Sequence, residues 1–125
     1  MTSDQISPPS RVLREDIRMQ TETADGRFTA GIAIDRQSHN SPLRLGLDWI
    51  QPGAEEVSWE TDAQTHEVHY LQQGRVRIGW DGHDADYVEL SAGEAFYFPP
   101  GRRYNLQNIG ETEAVIVWSA APTPT

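Results

Sequence analysis

Residues 93–108 read GEAFYFPPGRRYNLQN, and the punctuation of this stretch decides the fold. Pro99 and Pro100 lack amide protons, so neither can donate to a ladder from within a central strand. The Pro100-Gly101 pair therefore marks a sharp corner. Gly accepts backbone conformations closed to other residues, and Gly93 and Gly101 sit where such freedom is needed. The apolar, aromatic run Ala95 to Pro99 and the alternating run Arg103 to Asn108 become two short strands on either side of that corner.

The same rhythm extends outward in both directions. Turn signals fall at Pro52-Gly53, Gln73-Gly74, Asp81-Gly82, Ala92-Gly93, Pro100-Gly101 and Ile109-Gly110. Short strands with turn residues at such regular intervals indicate an antiparallel sandwich or barrel. The remaining strands are expected at Phe28 to Ile34, Leu43 to Ile50, Glu55 to Thr61, His66 to Gln72, Arg75 to Trp80, Ala85 to Leu90 and Ala114 to Ser119. Val12 to Gln20 fits either a short helix or an edge strand. Asp81-Gly82 suits a tight hairpin. The sum is an all-β chain of nine or ten strands without a substantial core helix. Residues 1–11 and 120–125, rich in Ser, Thr and Pro, are expected to be disordered tails around a single domain over 12–119.

Composition narrows the function classes. The 125 residues carry 10 Lys+Arg against 19 Asp+Glu, a net charge of −9, which argues against nucleic acid or an anionic membrane surface as partner. No apolar run approaches the ~18 residues of a membrane span, and the first residues lack the order of a secretion signal. The expected compartment is the cytoplasm. With no cysteine, disulfides, thiolate catalysis and zinc-finger chemistry are excluded.

Two motifs carry the chemistry. The second reads Gly93, Pro99, Gly101, Tyr104 and Asn108; the first runs from Glu67 through His69 to Gly74. Together they resemble the two signatures of the cupin superfamily, with Tyr104 standing where the second signature has a histidine. Glu60 and Asp62 stand where the first signature has two histidines, seven and five residues before the glutamate. The resemblance implies a jelly-roll barrel (a double-stranded β-helix of RmlC type) that pairs as a homodimer. It also implies that Glu67 faces the barrel interior. Alternation then places His69 inside with Glu67, and His66, Val68 and Tyr70 outside. By the same resemblance Tyr104 enters the cavity, as do Glu60 and Asp62 if their loop follows the family course.

The family metal site usually offers three imidazoles and one carboxylate, which this chain cannot supply. Three carboxylates buried together need relief, since two of them about 4 Å apart repel by roughly 4 kcal/mol at an effective dielectric near 20. Three arrangements are open. A divalent cation sits among Glu67, His69 and one of Glu60 or Asp62, with Tyr104 as ligand or hydrogen-bond partner. Alternatively, Glu60 and Asp62 face solvent and leave a metal-free pocket of Glu67, His69 and Tyr104. In the third, one acid stays protonated as a general acid. Trp59 is a candidate pocket wall; Arg102 and Arg103 are rim or surface residues, and His39 and His83 surface residues.

The expected function is a cupin enzyme acting on a small polar metabolite, of isomerase, cyclase, lyase or dehydratase type. Glu67 would bind metal or substrate, His69 would act as base or ligand, and Tyr104 as general acid. A His–Tyr pair across a pocket suits removal of a proton on one side and delivery on the other. The alternative is a non-catalytic cupin that binds a small ligand.

Overall fold

A computed structural model describes residues 8–82 and 86–124. Among the described residues, ten strands form two antiparallel sheets. The larger has the order β1-β2-β3-β10-β5-β8, from β1 (Arg18–Thr21), β2 (Phe28–Ile34), β3 (Arg44–Ile50), β5 (His66–Gln73), β8 (Ala95–Phe98) and β10 (Ala114–Ala121). The smaller has the order β4-β9-β6-β7, from β4 (Val57–Glu60), β6 (Arg75–Trp80), β7 (Tyr87–Ser91) and β9 (Arg103–Asn108). This is the expected all-β jelly roll. Among the described residues no helix is long and apolar enough to cross a membrane.

Period-two alternation decides which side chains go in. Along β6, Val76 and Ile78 are fully buried between the exposed or half-buried Arg75 and Arg77. Along β9, Tyr104, Leu106 and Asn108 are buried between half-exposed neighbours. These rows meet Phe28, Ile50, Leu71, Leu90, Phe98 and Ile116 to form one core. Burying each such side chain is worth about 1.5–3 kcal/mol, so the sandwich is held by the rows rather than by any one contact.

The motif residues outside the cavity hold turns. Gly74 adopts φ +90°, and a Cβ there would lie 2.9 Å from the Cα of Ala114, so the β5–β6 turn can press against β10 only with glycine. Asn108 closes the end of β9. Its Nδ2 donates to the carbonyls of Ile50 (2.9 Å) and Thr112 (3.0 Å), and its Oδ1 accepts from the Gly110 amide. Satisfying these buried backbone groups is what an asparagine at this position does.

The ends differ from the sequence expectation in part. Residues 1–7 lie outside the described residues; Arg14–Asp16 form a single 3-10 turn, and the following segment is the edge strand β1. The C-terminal stretch is not a free tail. β10 continues through Ala121, and Thr123 is buried, its amide donating to Pro42 O at 2.8 Å. Arg36, in the one-turn helix α1 (Arg36–His39), donates to Thr123 O at 2.8 Å. Composition marked this stretch as loose, but long-range backbone hydrogen bonds order it. His83 lies outside the described residues, and His39 is half-buried on α1.

Candidate functional site

The register of the large sheet builds a cavity of about 530 Å³ between the sheets, within the ~300–1,000 Å³ usual for small-molecule sites. Inward positions on β3 are Arg44, Gly46, Asp48 and Ile50, alternating with the outward Leu45, Leu47 and Trp49. Trp118 of β10 lies between Gly46 of β3 and His69 of β5 in the ladder, and Ala120 lies between Arg44 and Glu67. The cavity wall thus receives Arg44, Asp48, Trp118, Glu67 and His69 from three adjacent strands. Arg18, Gln20 and Glu22 come from the β1 edge, and Val57, Trp59 and Leu106 from the opposite sheet.

Gly46 is required here by space rather than by dihedral angle. A Cβ at this position would fall inside the indole of Trp118. Its absence lets the indole lie across β3, where Nε1–H donates to Asp48 Oδ1 at 3.0 Å. His69 is held as tightly. Its ring stacks parallel to Trp59 at 5.9 Å, packs on Phe98 at 4.3 Å, and its Nε2 lies 3.2 Å from Glu67 Oε1.

Burial sets the protonation states. His69 is 5% exposed, and desolvation pushes its pKa below the ordinary 6.5 despite the opposing pull of Glu67. At neutral pH the ring is therefore uncharged, and its contact with Glu67 is a hydrogen bond rather than an ion pair. Because a carboxylate accepts, the imidazole proton sits on Nε2, and Nδ1 carries the lone pair. That Nδ1 is buried without a hydrogen-bond partner. Asp48 is raised from 3.8 to about 7, first by desolvation and then by the charges of Glu22 and Glu67, against the favourable Trp118 bond. One acid of the cavity is thus kept protonated in part at neutral pH. Burial also raises the pKa of Glu22.

The Cupin domain family model matches residues 47–120, more than half of the chain. The chain belongs to the cupin family. Among solved structures, a predicted oxalate decarboxylase from Thermotoga maritima superimposes with a TM-score of 0.71 at 13% identity. That match covers 91% of this chain and 100% of the other. A cupin-superfamily sugar phosphate isomerase from Silicibacter pomeroyi gives 0.71 at 14% identity, covering 92% and 77%. KdgF from Halomonas sp. gives 0.68 at 17%, covering 94% and 96%. At these identities the likeness is one of fold. No curated protein matches.

Set on this cupin frame, the two sequence motifs separate into residues that meet and residues that do not. Glu67 and His69 share the cavity, and Trp59 walls it. Tyr104 does not reach it. The phenol is 2% exposed, Phe98 and Trp59 pack against it, and its O–H donates to Pro99 O at 2.7 Å. It borders a separate cleft of about 120 Å³ with Glu56, Ser58 and Arg103. Glu60 is exposed and 3.4 Å from Arg103, and Asp62 is exposed at the start of the β4–β5 turn. Alternation explains Glu60: Val57 and Trp59 face in, so Ser58 and Glu60 face out. Arg102 reaches towards Asp81, 3.8 Å away, at the surface.

The cation arrangement considered from the sequence, Glu67 and His69 with one of Glu60 or Asp62 and with Tyr104, is therefore not assembled: only Glu67 and His69 share the cavity. Among the described residues, no three His, Asp or Glu side chains are arranged to hold a metal. The donors at the cupin motif positions, dispersed in this way, do not fit a divalent ion. The residue the motifs miss is Asp48, which lies outside both. Its signal was present: an acid in the inward row of a strand whose other inward members include Gly46 and Ile50.

Proposed function

We propose that this cupin is an enzyme that moves a proton on a small polar metabolite, with His69 as base and Asp48 as acid. The observation that carries it is His69, whose buried Nδ1 has no hydrogen-bond partner, on the wall of a cavity that also holds a carboxyl with a pKa of about 7. Glu67 accepts the Nε2 proton, fixes the ring tautomer and favours the imidazolium that forms when Nδ1 takes a proton. Asp48, protonated in part near pH 7, supplies a proton elsewhere in the same cavity, and Trp118 holds it in position. Groups whose pKa values lie close to the working pH are the effective general acids and bases. Isomerisation, cyclisation and elimination of water all need this pairing. The acid assigned from the sequence to Tyr104 is here Asp48, because the phenol donates to Pro99 and does not line the cavity.

The test is incubation of the full chain with a metabolite extract in deuterated water, followed by mass spectrometry. A metabolite that gains deuterium or is converted by the parent, but not by His69→Gln or Asp48→Asn, supports the enzyme. A metabolite retained by the protein yet recovered unchanged and undeuterated overturns it in favour of a binding protein.

A further inference from the structure

The two sheets turn different faces to solvent. On the smaller one the outward positions carry charge: Glu60 of β4 lies 3.4 Å from Arg103 of β9, and Arg75 of β6 lies 3.0 Å from Glu89 of β7. That is the ordinary solvated side of an antiparallel sheet. On the larger one, the register lines up a row that crosses all six strands: Met19, Gly31, Leu47, Val117, Tyr70 and Ala95. A second row of Leu45, Ser119, Val68 and Tyr97 runs on one side of it. A third, of Thr21, Thr29, Trp49 and Val115, runs on the other. None of the residues in these three rows is charged, although the chain carries 10 Lys+Arg and 19 Asp+Glu.

These side chains are open to solvent. Val68 is 50% exposed, Tyr70 48%, Tyr97 51% and Met19 57%. Apolar surface left open on this scale marks a contact site rather than a solvent face. The imidazole at its border is already engaged: His66 Nδ1 and the Tyr97 hydroxyl are 2.6 Å apart, and the two rings stack at 5.9 Å. At the opposite end Ile17, Trp49 and Met19 pack over Gly31, where a Cβ would come within 2.7 Å of Ile17. The missing Cβ lets these side chains lie low on the sheet.

We propose that this face is a two-fold interface on which a second copy of the chain docks. Charge selects that occupant. Two copies that each carry −9 repel where their charged surfaces meet, and through these rows they approach without setting like charges together. A partner attracted by charge finds none here. Depletion of charge, with Tyr, Trp and Met present, is the composition of a contact between identical subunits. A two-fold axis sets the same patch against itself, so a flat uncharged sheet meets its own complement. The area also suffices. Six strands about 4.8 Å apart and three rows about 7 Å apart give roughly 500 Å² per copy before side-chain relief is counted. Two copies thus reach the ~1,000 Å² expected of a specific interface. Glu67 and His69 point to the other side of the sheet, so the pairing stands or falls independently of the proton-transfer assignment.

Sedimentation equilibrium of the full chain at micromolar concentration should give twice the chain mass. Tyr70→Arg puts a charge into the middle row while reducing the net negative charge of each copy, so general repulsion cannot explain a loss of pairing. It should raise the dissociation constant roughly thirtyfold or more, the value of a hot-spot side chain. Ser58→Arg, on the exposed side of β4, makes the same change in charge and should leave the mass as in the parent. Because Tyr70 is half exposed in the single chain, its variant should keep the parent's circular dichroism. If it does not, hydroxyl-radical footprinting of the parent decides. Met19, Tyr70 and Tyr97 should be protected at high concentration and labelled on dilution, with Tyr87 of the small sheet labelled throughout. A monomeric parent, an assembly larger than two, a dimer unaltered by Tyr70→Arg, or a dimer with Tyr70 and Tyr97 still labelled would each overturn the proposal. A monomeric parent that sediments with phosphatidylcholine vesicles would overturn it in favour of a lipid surface.

Discussion

Replacing Asp48 by Asn should make the protein more stable, and increasingly so as pH rises. The folded-state pKa of Asp48 is about 7 against an ordinary 3.8, so the folded protein binds this proton more tightly than the unfolded chain. A group raised in this way contributes stability fully present below pH 3.8, which is lost as pH climbs through about 7. The gap corresponds to roughly 4 kcal/mol at about 1.4 kcal/mol per pH unit. Asp48 is 6% exposed, so solvent screening does little to reduce this. Asn keeps an oxygen for the Trp118 indole and cannot ionise. Any cost of placing its NH₂ group is independent of pH and drops out of a comparison across pH. Urea unfolding of parent and Asp48→Asn at pH 5, 6, 7 and 8 therefore isolates the effect. The stability difference should move in favour of the variant by roughly 2–3 kcal/mol between pH 5 and pH 8. Parallel pH profiles, with the difference constant to within about 0.5 kcal/mol, would show that Asp48 titrates as an ordinary carboxylate and that the cavity has no acid poised near neutrality.

Gly46→Ala should cost about 1–3 kcal/mol, because the new methyl must displace the Trp118 indole. Loss of the indole N–H bond should also raise the Asp48 pKa further, seen as a shift of the same pH profile to higher pH. Tyr104→Phe should destabilise by about 1 kcal/mol in thermal melts by removing the phenol's short hydrogen bond to Pro99 O, which keeps only the longer one from Thr61 Oγ1 at 3.3 Å. It should leave ligand affinity in the large cavity unchanged, whereas a phenol acting in that cavity would alter it. The double variant Glu60→Gln/Asp62→Asn, and separately treatment of the parent with a chelator, should each leave the melting temperature as it was. A drop on chelation, abolished in the double variant, would return these acids to a metal site.

What could be read from the chain was direction; what could not was depth and distance. Glycine and proline punctuation located the strands, since these residues act through local backbone geometry that needs no tertiary context. Parity along β5 put Glu67 and His69 on one face for the same reason, and the family resemblance turned that face inward. The family resemblance put Tyr104 in the cavity, yet an inward position in a closed sandwich means the packed core as readily as the cavity, and only the positions of Phe98 and Trp59 distinguish them. The outward turn of Glu60 was legible from Trp59, because adjacent residues of a strand cannot share a face. Asp48 was overlooked because it belongs to neither motif. Its proton affinity depends on Glu22, Glu67 and Trp118, which are distant in sequence and meet only across the ladder. Thr123 shows the same limit at the chain end: a Pro- and Thr-rich segment is held by carbonyl and guanidinium partners that composition does not reveal.

The central claim is that His69 is an uncharged base whose proton lies on Nε2, towards Glu67. Nitrogen NMR of the imidazole in uniformly ¹⁵N-labelled protein tests this most directly, with His69→Gln to assign the signals. A neutral ring is expected at pH 7, with Nε2 protonated and Nδ1 bare, persisting below pH 6.5 as burial holds the pKa down. A His69 imidazolium at pH 7, or a neutral ring with its proton on Nδ1, would contradict it.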